Sequence, residues 1–145
     1  MRGLKKNNQN EQKIRFEITE TSLAAIGENH TRMLTHLKEN GAEILLDDFG
    51  SGYSSFGMLQ DYDFDILKMD ISFVRNIGVN KKSESILRAI IDMAHQLEIR
   101  LVAEGAETEE QVAFLRENGC DYIQGYYYYK PMPEKEFLQL LDEGK

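Results

Sequence analysis

The stretch Ile44–Ser55, ILLDDFGSGYSS, constrains this chain more than any other. Three consecutive apolar residues, Ile44, Leu45 and Leu46, predict a short strand buried on both faces, as in a parallel sheet. The strand runs directly into two carboxylates, Asp47 and Asp48. Gly50 and Gly52 then mark a tight loop with unusual backbone angles. Adjacent anions repel, and each resists leaving water. A divalent cation resolves both problems, because hard cations prefer carboxylate oxygens. Taken alone, an Asp-Asp pair is more often a solvated strand end with Asp as a turn former. The balance changes because other strands of this chain end in the same way.

Ile14–Ile18 (IRFEI) predicts a first strand, ending in Glu17, Thr19 and Glu20. Phe64–Met69 predicts another, with Lys68 and Asp70 at its end, and Ile99–Ala103 a further one that delivers Glu104 and Gly105. Tyr122–Gln124 is the last. Between them lie helical patterns. Asn29 opens one whose apolar face holds Met33, Leu34 and Leu37, closed by Asn40-Gly41. Ser54–Gln60 forms a short one with Phe56 and Leu59 turned inward. Ser83–Leu97 carries Ile86, Leu87, Ile90, Ile91, Ala94 and Leu97 at helical spacing. Thr108 and Gln111 fit a capping box for a helix ending at Asn118-Gly119. Pro133 starts a final helix carrying Phe137, Leu138 and Leu141. Residues 1–13 are polar and predict a disordered leader, leaving 14–145 as the domain. No residue-level repeat is visible.

This alternation predicts an α/β fold with about five parallel strands. Two architectures fit: part of a (β/α) barrel, or a doubly wound sheet. Periodicity does not choose between them. A doubly wound sheet usually shows a glycine-rich phosphate loop after its first strand, where this chain has TETS.

The strand ends gather Glu17, Asp47, Asp48, Lys68, Glu104 and Gln124, many carboxylates for a single cation. Oxygen-only donors point to Mg²⁺, Mn²⁺ or Ca²⁺ and away from zinc. His30, His36 and His95 all fall in helical stretches, where surface or packing roles dominate. A net charge of −8 argues against a nucleic-acid polymer as partner. The single cysteine, Cys120, excludes an internal disulfide and suits a reducing cytoplasm. No apolar run approaches the roughly 20 residues that span a bilayer.

The segments LLDDFGSGYSSFGMLQ, DILKMD, VAEGAETEEQ and GCDYIQGYYYYKPMP, in that order, resemble the EAL family of bacterial cyclic di-GMP phosphodiesterases. The resemblance runs from about Ile14 to the C-terminus and covers the later part of that family's domain. It implies a TIM-type barrel, incomplete here, and hydrolysis of cyclic di-GMP to linear pGpG with two Mg²⁺ or Mn²⁺ ions. By resemblance Glu17 is a ligand of the first metal, Asp47 is shared by both, and Asp48 serves the second. Lys68 orients the attacking water and meets phosphate, Glu104 is the general base, and Gln124 lines the site. Glu20 and Glu107 hold the loop that contains Ser51, Gly52 and Tyr53. A guanine base is a candidate to stack on the run Tyr126–Tyr129, whose other reading is alternation between core and surface. The changes at Ser51, Met69 and Ala106 from the commoner Thr, Ile and Val remove no donor.

The family's namesake Glu-Ala-Leu motif, and an Asn that completes the first metal's shell, have no counterpart in this sequence. The expectation is therefore a chain that is silent alone and that pairs with a second copy through the open edge at Ile14–Ile18. The alternative is a non-enzymatic module that binds cyclic di-GMP or a regulatory partner. A weaker third reading is an unrelated metal-dependent hydrolase on a doubly wound sheet.

Overall fold

The computed structural model describes residues 14–26, 29–51 and 55–142. The leader at 1–13, and Gly52 and Tyr53, lie outside the described residues. The chain divides into two compact units, Met1–Lys68 and Met69–Lys145.

The first unit opens with β1 (Arg15–Thr19) and runs directly into α1 (Glu20–Ile26). After α2 (Asn29–Glu39), Gly41 at φ +82° donates its N–H to Lys38 O at 2.8 Å and turns the chain into β2 (Glu43–Phe49). Only glycine takes that left-handed angle without steric cost. β1 and β2 pair in parallel, with Thr19 opposite Asp47. Ile44, Leu45 and Leu46 are all buried, so β2 has apolar neighbours on both faces as its sequence predicts. Burying each such side chain contributes about 1.5–3 kcal/mol. α3 (Ser55–Asp61) differs from expectation, because Phe56 is exposed and Met58 is the buried residue. A seven-residue helix buries only a narrow stripe, and Met58 occupies it. Phe56 still meets Phe49 edge-on, with ring centroids 5.6 Å apart. β3 (Ile66–Met69) closes this unit's run of elements.

In the second unit a short helix absent from the sequence reading, α4 (Ile71–Arg75), follows at once. Asp70 caps it by accepting from Ser72 N at 2.8 Å. α5 (Lys81–Gln96) begins two residues earlier than its apolar pattern suggests, because Asn80 accepts from the N–H groups of Lys82 and Ser83. It buries Leu87, Ile90, Ile91 and Ala94, while Ile86 and Leu97 stay exposed. β4 (Arg100–Glu104) leads to α6 (Glu109–Glu117), whose Thr108–Gln111 capping box forms as predicted. β5 (Tyr122–Gln124) pairs in parallel with β4, and α7 (Glu134–Asp142) has no buried residue.

The strands form one sheet in the order β1-β2-β3-β4-β5. This sequential order decides between the two architectures. A doubly wound sheet reverses strand order at its switch point, whereas barrel strands follow one another. Among the described residues, no helix is long and apolar enough to cross a membrane.

Candidate active site

In the first unit the end of β2 meets the end of β3. Lys68 Nζ lies 3.3 Å from Asp47 Oδ1 and 3.5 Å from Oδ2, with both side chains largely buried. A lysine ammonium this close partly offsets the desolvation of the carboxylate. Asp48 takes φ +59° and donates its N–H to Asp47 Oδ1 at 2.9 Å. Ser51 N–H then closes a turn onto Asp48 O at 3.1 Å, with Gly50 at φ +92° between them. In a regular strand Asp48 would point to the face opposite Asp47. The left-handed angle at Asp48 breaks that alternation directly after Asp47.

Glu20, the first residue of α1, is buried and holds this turn. Its Oε1 accepts from Gly50 N–H at 3.2 Å. Its Oε2 is buried without a hydrogen-bond partner among the described residues. Glu17 is exposed on β1. Because Thr19 stands opposite Asp47, Glu17 shares the face of Asp47 one pleat earlier. The donors Glu17, Asp47 and Asp48 are all oxygens and fit a hard divalent cation in type. Among the described residues, however, no three acid, histidine or cysteine side chains are gathered closely enough to hold a metal.

In the second unit Glu104 ends β4 and lines a cavity of about 470 Å³. The loops around it are locked through backbone. Gly105, at φ +82°, and Ala106 both donate to Gln124 O, at 2.8 and 3.2 Å. A Cβ on Gly125 would fall 2.1 Å from Ala106 O, so only glycine allows this approach. Gln124 lines the cavity, as does Glu107, whose N–H donates to Gln111 Oε1 at 2.7 Å.

Arg75, Tyr126, Tyr129 and Lys130 also line this cavity, and the sequence reading did not single out Arg75 or Lys130. A signal existed for Lys130, which directly follows the tyrosine run. Arg75 had none, since it sits on a helix too short to show periodicity. The tyrosine run does not alternate between core and surface. All four rings are exposed, because the segment is a turn and not a strand. Tyr127 and Tyr128 pack edge-to-face at 5.2 Å, and Tyr128 Oη accepts from Arg116 at 3.0 Å.

The EAL-domain family profile matches residues 2–131. The chain belongs to the EAL-domain family. The match begins within the polar leader, so the family pattern extends over that stretch as well. This EAL chain is 42% identical over 129 residues to the cyclic di-GMP phosphodiesterase NbdA of Pseudomonas aeruginosa, covering 87% of this chain and 16% of NbdA. It superposes on the EAL domain of Mycobacterium smegmatis DcpA with a TM-score of 0.84 at 38% identity, covering 90% of this chain and 59% of that one. A Klebsiella pneumoniae BlrP1 complex with manganese and cyclic di-GMP gives a TM-score of 0.74 at 31% identity, covering 78% of this chain and 29% of that one. BlrP1 is also known as a calcium and cyclic di-GMP complex. The chain thus spans less than two thirds of the length of the relatives it matches.

Proposed function

We propose that residues 14–145 form the later part of a cyclic di-GMP phosphodiesterase domain that uses Mg²⁺ or Mn²⁺. The observation that carries this reading is the Asp47–Lys68 pair at two strand ends, beside the left-handed Asp48, in a chain of EAL sequence. Asp47, Asp48 and Glu17 are the carboxylates that would hold divalent cations. When bound, such ions supply charge neutralisation at phosphorus and acidify the attacking water. Lys68 orients that water and meets phosphate. Glu104 accepts the proton of the attacking water as its oxygen bonds to phosphorus, the bond from phosphorus to the 3′ oxygen breaks, and that oxygen takes up a proton from solvent, giving pGpG with one water consumed. Ser51, Gly52 and Tyr53, held through Glu20, shape the loop around Asp48, and Glu107 and Gln124 line the wall beside Glu104. The lone Cys120 supports a cytoplasmic setting.

A second reading, a module that binds cyclic di-GMP without hydrolysing it, is favoured by the incomplete gathering of donors among the described residues. One experiment separates the two. Cyclic di-GMP is titrated into the chain with Mn²⁺, and linear product is followed by chromatography. Turnover that disappears in Asp47→Asn supports the phosphodiesterase. Saturable binding without product selects the module. Neither binding nor product overturns both. The exposed Ile14, just before the edge strand β1, and the exposed Phe16 within it further support pairing with a second copy there. Sedimentation showing a monomer at micromolar concentration would refute that pairing.

A further inference from the structure

The cavity beside Glu104 is built for more than a proton transfer. Its volume of about 470 Å³ lies within the range of roughly 300–1,000 Å³ common to small-molecule sites. Its lining includes two aromatic residues, Tyr126 and Tyr129, the polar Gln124, and two cationic residues, Arg75 and Lys130. The two cations are deployed differently. Lys130 Nζ lies over the Tyr126 ring at 5.7 Å. Arg75 forms no side-chain hydrogen bond or ion pair with another described residue. The helix that carries it is held in place through its first residue. A Cβ on Gly105 would sit 2.3 Å from the Ile71 side chain, so the loop after Glu104 packs directly on the first residue of α4. That contact holds the helix bearing Arg75 against the loop of the proposed base.

We propose that Arg75 reads the guanine of a bound cyclic dinucleotide. This rests on the function proposed above and adds the residue that sets base specificity. A nucleobase stacks on the tyrosine faces whatever its identity, because every base has a π-face. Selection then needs an edge contact. Guanine presents O6 and N7 as adjacent acceptors, which match the planar guanidinium fork. Adenine places an amino donor beside N7, which opposes it. A lysine has no such fork, so its charge alone cannot supply the selection.

The test is calorimetric titration of cyclic di-GMP and cyclic di-AMP, with Mn²⁺ present, into the wild-type chain and into Arg75→Ala and Arg75→Lys. Arg75 is exposed, and thermal melts of both variants establish that they fold. The expected result is a loss of cyclic di-GMP affinity on the order of ten- to a hundred-fold in both variants. Cyclic di-AMP affinity should stay unchanged, so the preference for guanine collapses. Equal weakening of both ligands would mean that Arg75 meets phosphate, and would overturn the assignment. Unchanged cyclic di-GMP affinity in Arg75→Ala would overturn it while leaving the phosphodiesterase reading intact. A wild-type chain that binds neither ligand would overturn both.

Discussion

The two units run through the same passage of structure with almost none of the same residues. In the first, α2 leads through β2 and α3 to β3. In the second, α5 leads through β4 and α6 to β5. The bonds recur at the same spacing. Ala42 N–H donates to Leu37 O, and Ile99 N–H to Ala94 O. The turn before the strand is left-handed at Gly41 in one and at Glu98 in the other. Asp65 Oδ2 accepts from Ile44 N at 2.8 Å, and Asp121 Oδ2 accepts from Leu101 N at 2.8 Å. Lys38 stands 3.2 Å from Asp65 where His95 stands 3.8 Å from Asp121. At the strand end Asp47 corresponds to Glu104, Asp48 to Gly105, and the buried Phe49 to the buried Ala106.

The difference at one position is the instructive one. Both units need a left-handed residue directly after the strand-end carboxylate. The second uses glycine, which fits without strain. The first uses an aspartate, which carries a backbone penalty there. The backbone alone would be better served by glycine in both, so the aspartate is held in the first unit at a conformational cost.

The largest effect should come from the corresponding acids. Under any condition in which the chain turns over cyclic di-GMP, Asp47→Asn and Glu104→Gln should each reduce the rate by at least about 100-fold. Their causes should differ. Asp47→Asn should weaken Mn²⁺ binding, read by paramagnetic resonance, whereas Glu104→Gln should leave it near wild type. If both changes weaken metal equally, the two strand ends share one job and the contrast fails.

Exchanging the left-handed residues comes next. Gly105→Asp should destabilise by about 2–4 kcal/mol in urea melts, because it adds backbone strain and drives a side chain into Ile71. Asp48→Gly should be neutral or more stable by up to about 1 kcal/mol, and should lose metal affinity. Marked destabilisation by Asp48→Gly would show that the carboxylate is structural.

Removing the strand-start acceptors should cost less. Asp65→Ala and Asp121→Ala each leave a strand N–H without its partner, a loss of about 1–3 kcal/mol. The two should agree within error if the shared hydrogen bond dominates, and diverge if the Lys38 and His95 contacts matter. Burial lowers the Lys38 pKa, but hydrogen bonds and attraction to Asp63 and Asp65 outweigh it and hold it above the usual 10.5. A raised lysine contributes stability that is fully present below its unfolded pKa and lost as pH rises through its folded one. Lys38→Met should therefore cost about 0.5 kcal/mol at neutral pH, and the deficit should close only under strongly alkaline conditions. A deficit that persists there would assign it to packing.

The smallest effect concerns Cys120, directly before Asp121 as the buried Phe64 is directly before Asp65. Burial pushes the thiol up to about 11. Alkylation at pH 8 should be slow in the native chain and fast in denaturant, because the thiolate is the reactive form. Rapid native labelling would show that this strand start opens readily.

The correspondence between the units was invisible in the residues themselves, since Lys38 and His95, or Phe49 and Ala106, share no chemistry a reader would align. What repeats is burial and backbone direction, which many residue types satisfy. The strand-end acids were legible because several apolar runs of this chain, and not the Asp47-Asp48 run alone, end in carboxylates. The Thr108–Gln111 capping box and the Asn40-Gly41 stop were legible because caps are made within one turn of chain. Arg75 was not, because nothing local distinguishes an exposed arginine on a five-residue helix.

The division follows the range of the forces. Alternation of strands and helices, their caps, and the acids at their ends are short-range matters of periodicity and backbone angle, and the amino-acid sequence determined them. Strand order, the exposure of Phe56, the reach of Glu20 to Gly50 and the gathering of Arg75, Tyr126 and Glu104 around one cavity were decided only by tertiary structure. Each joins residues far apart in the chain, and only packing selects which distant partners meet.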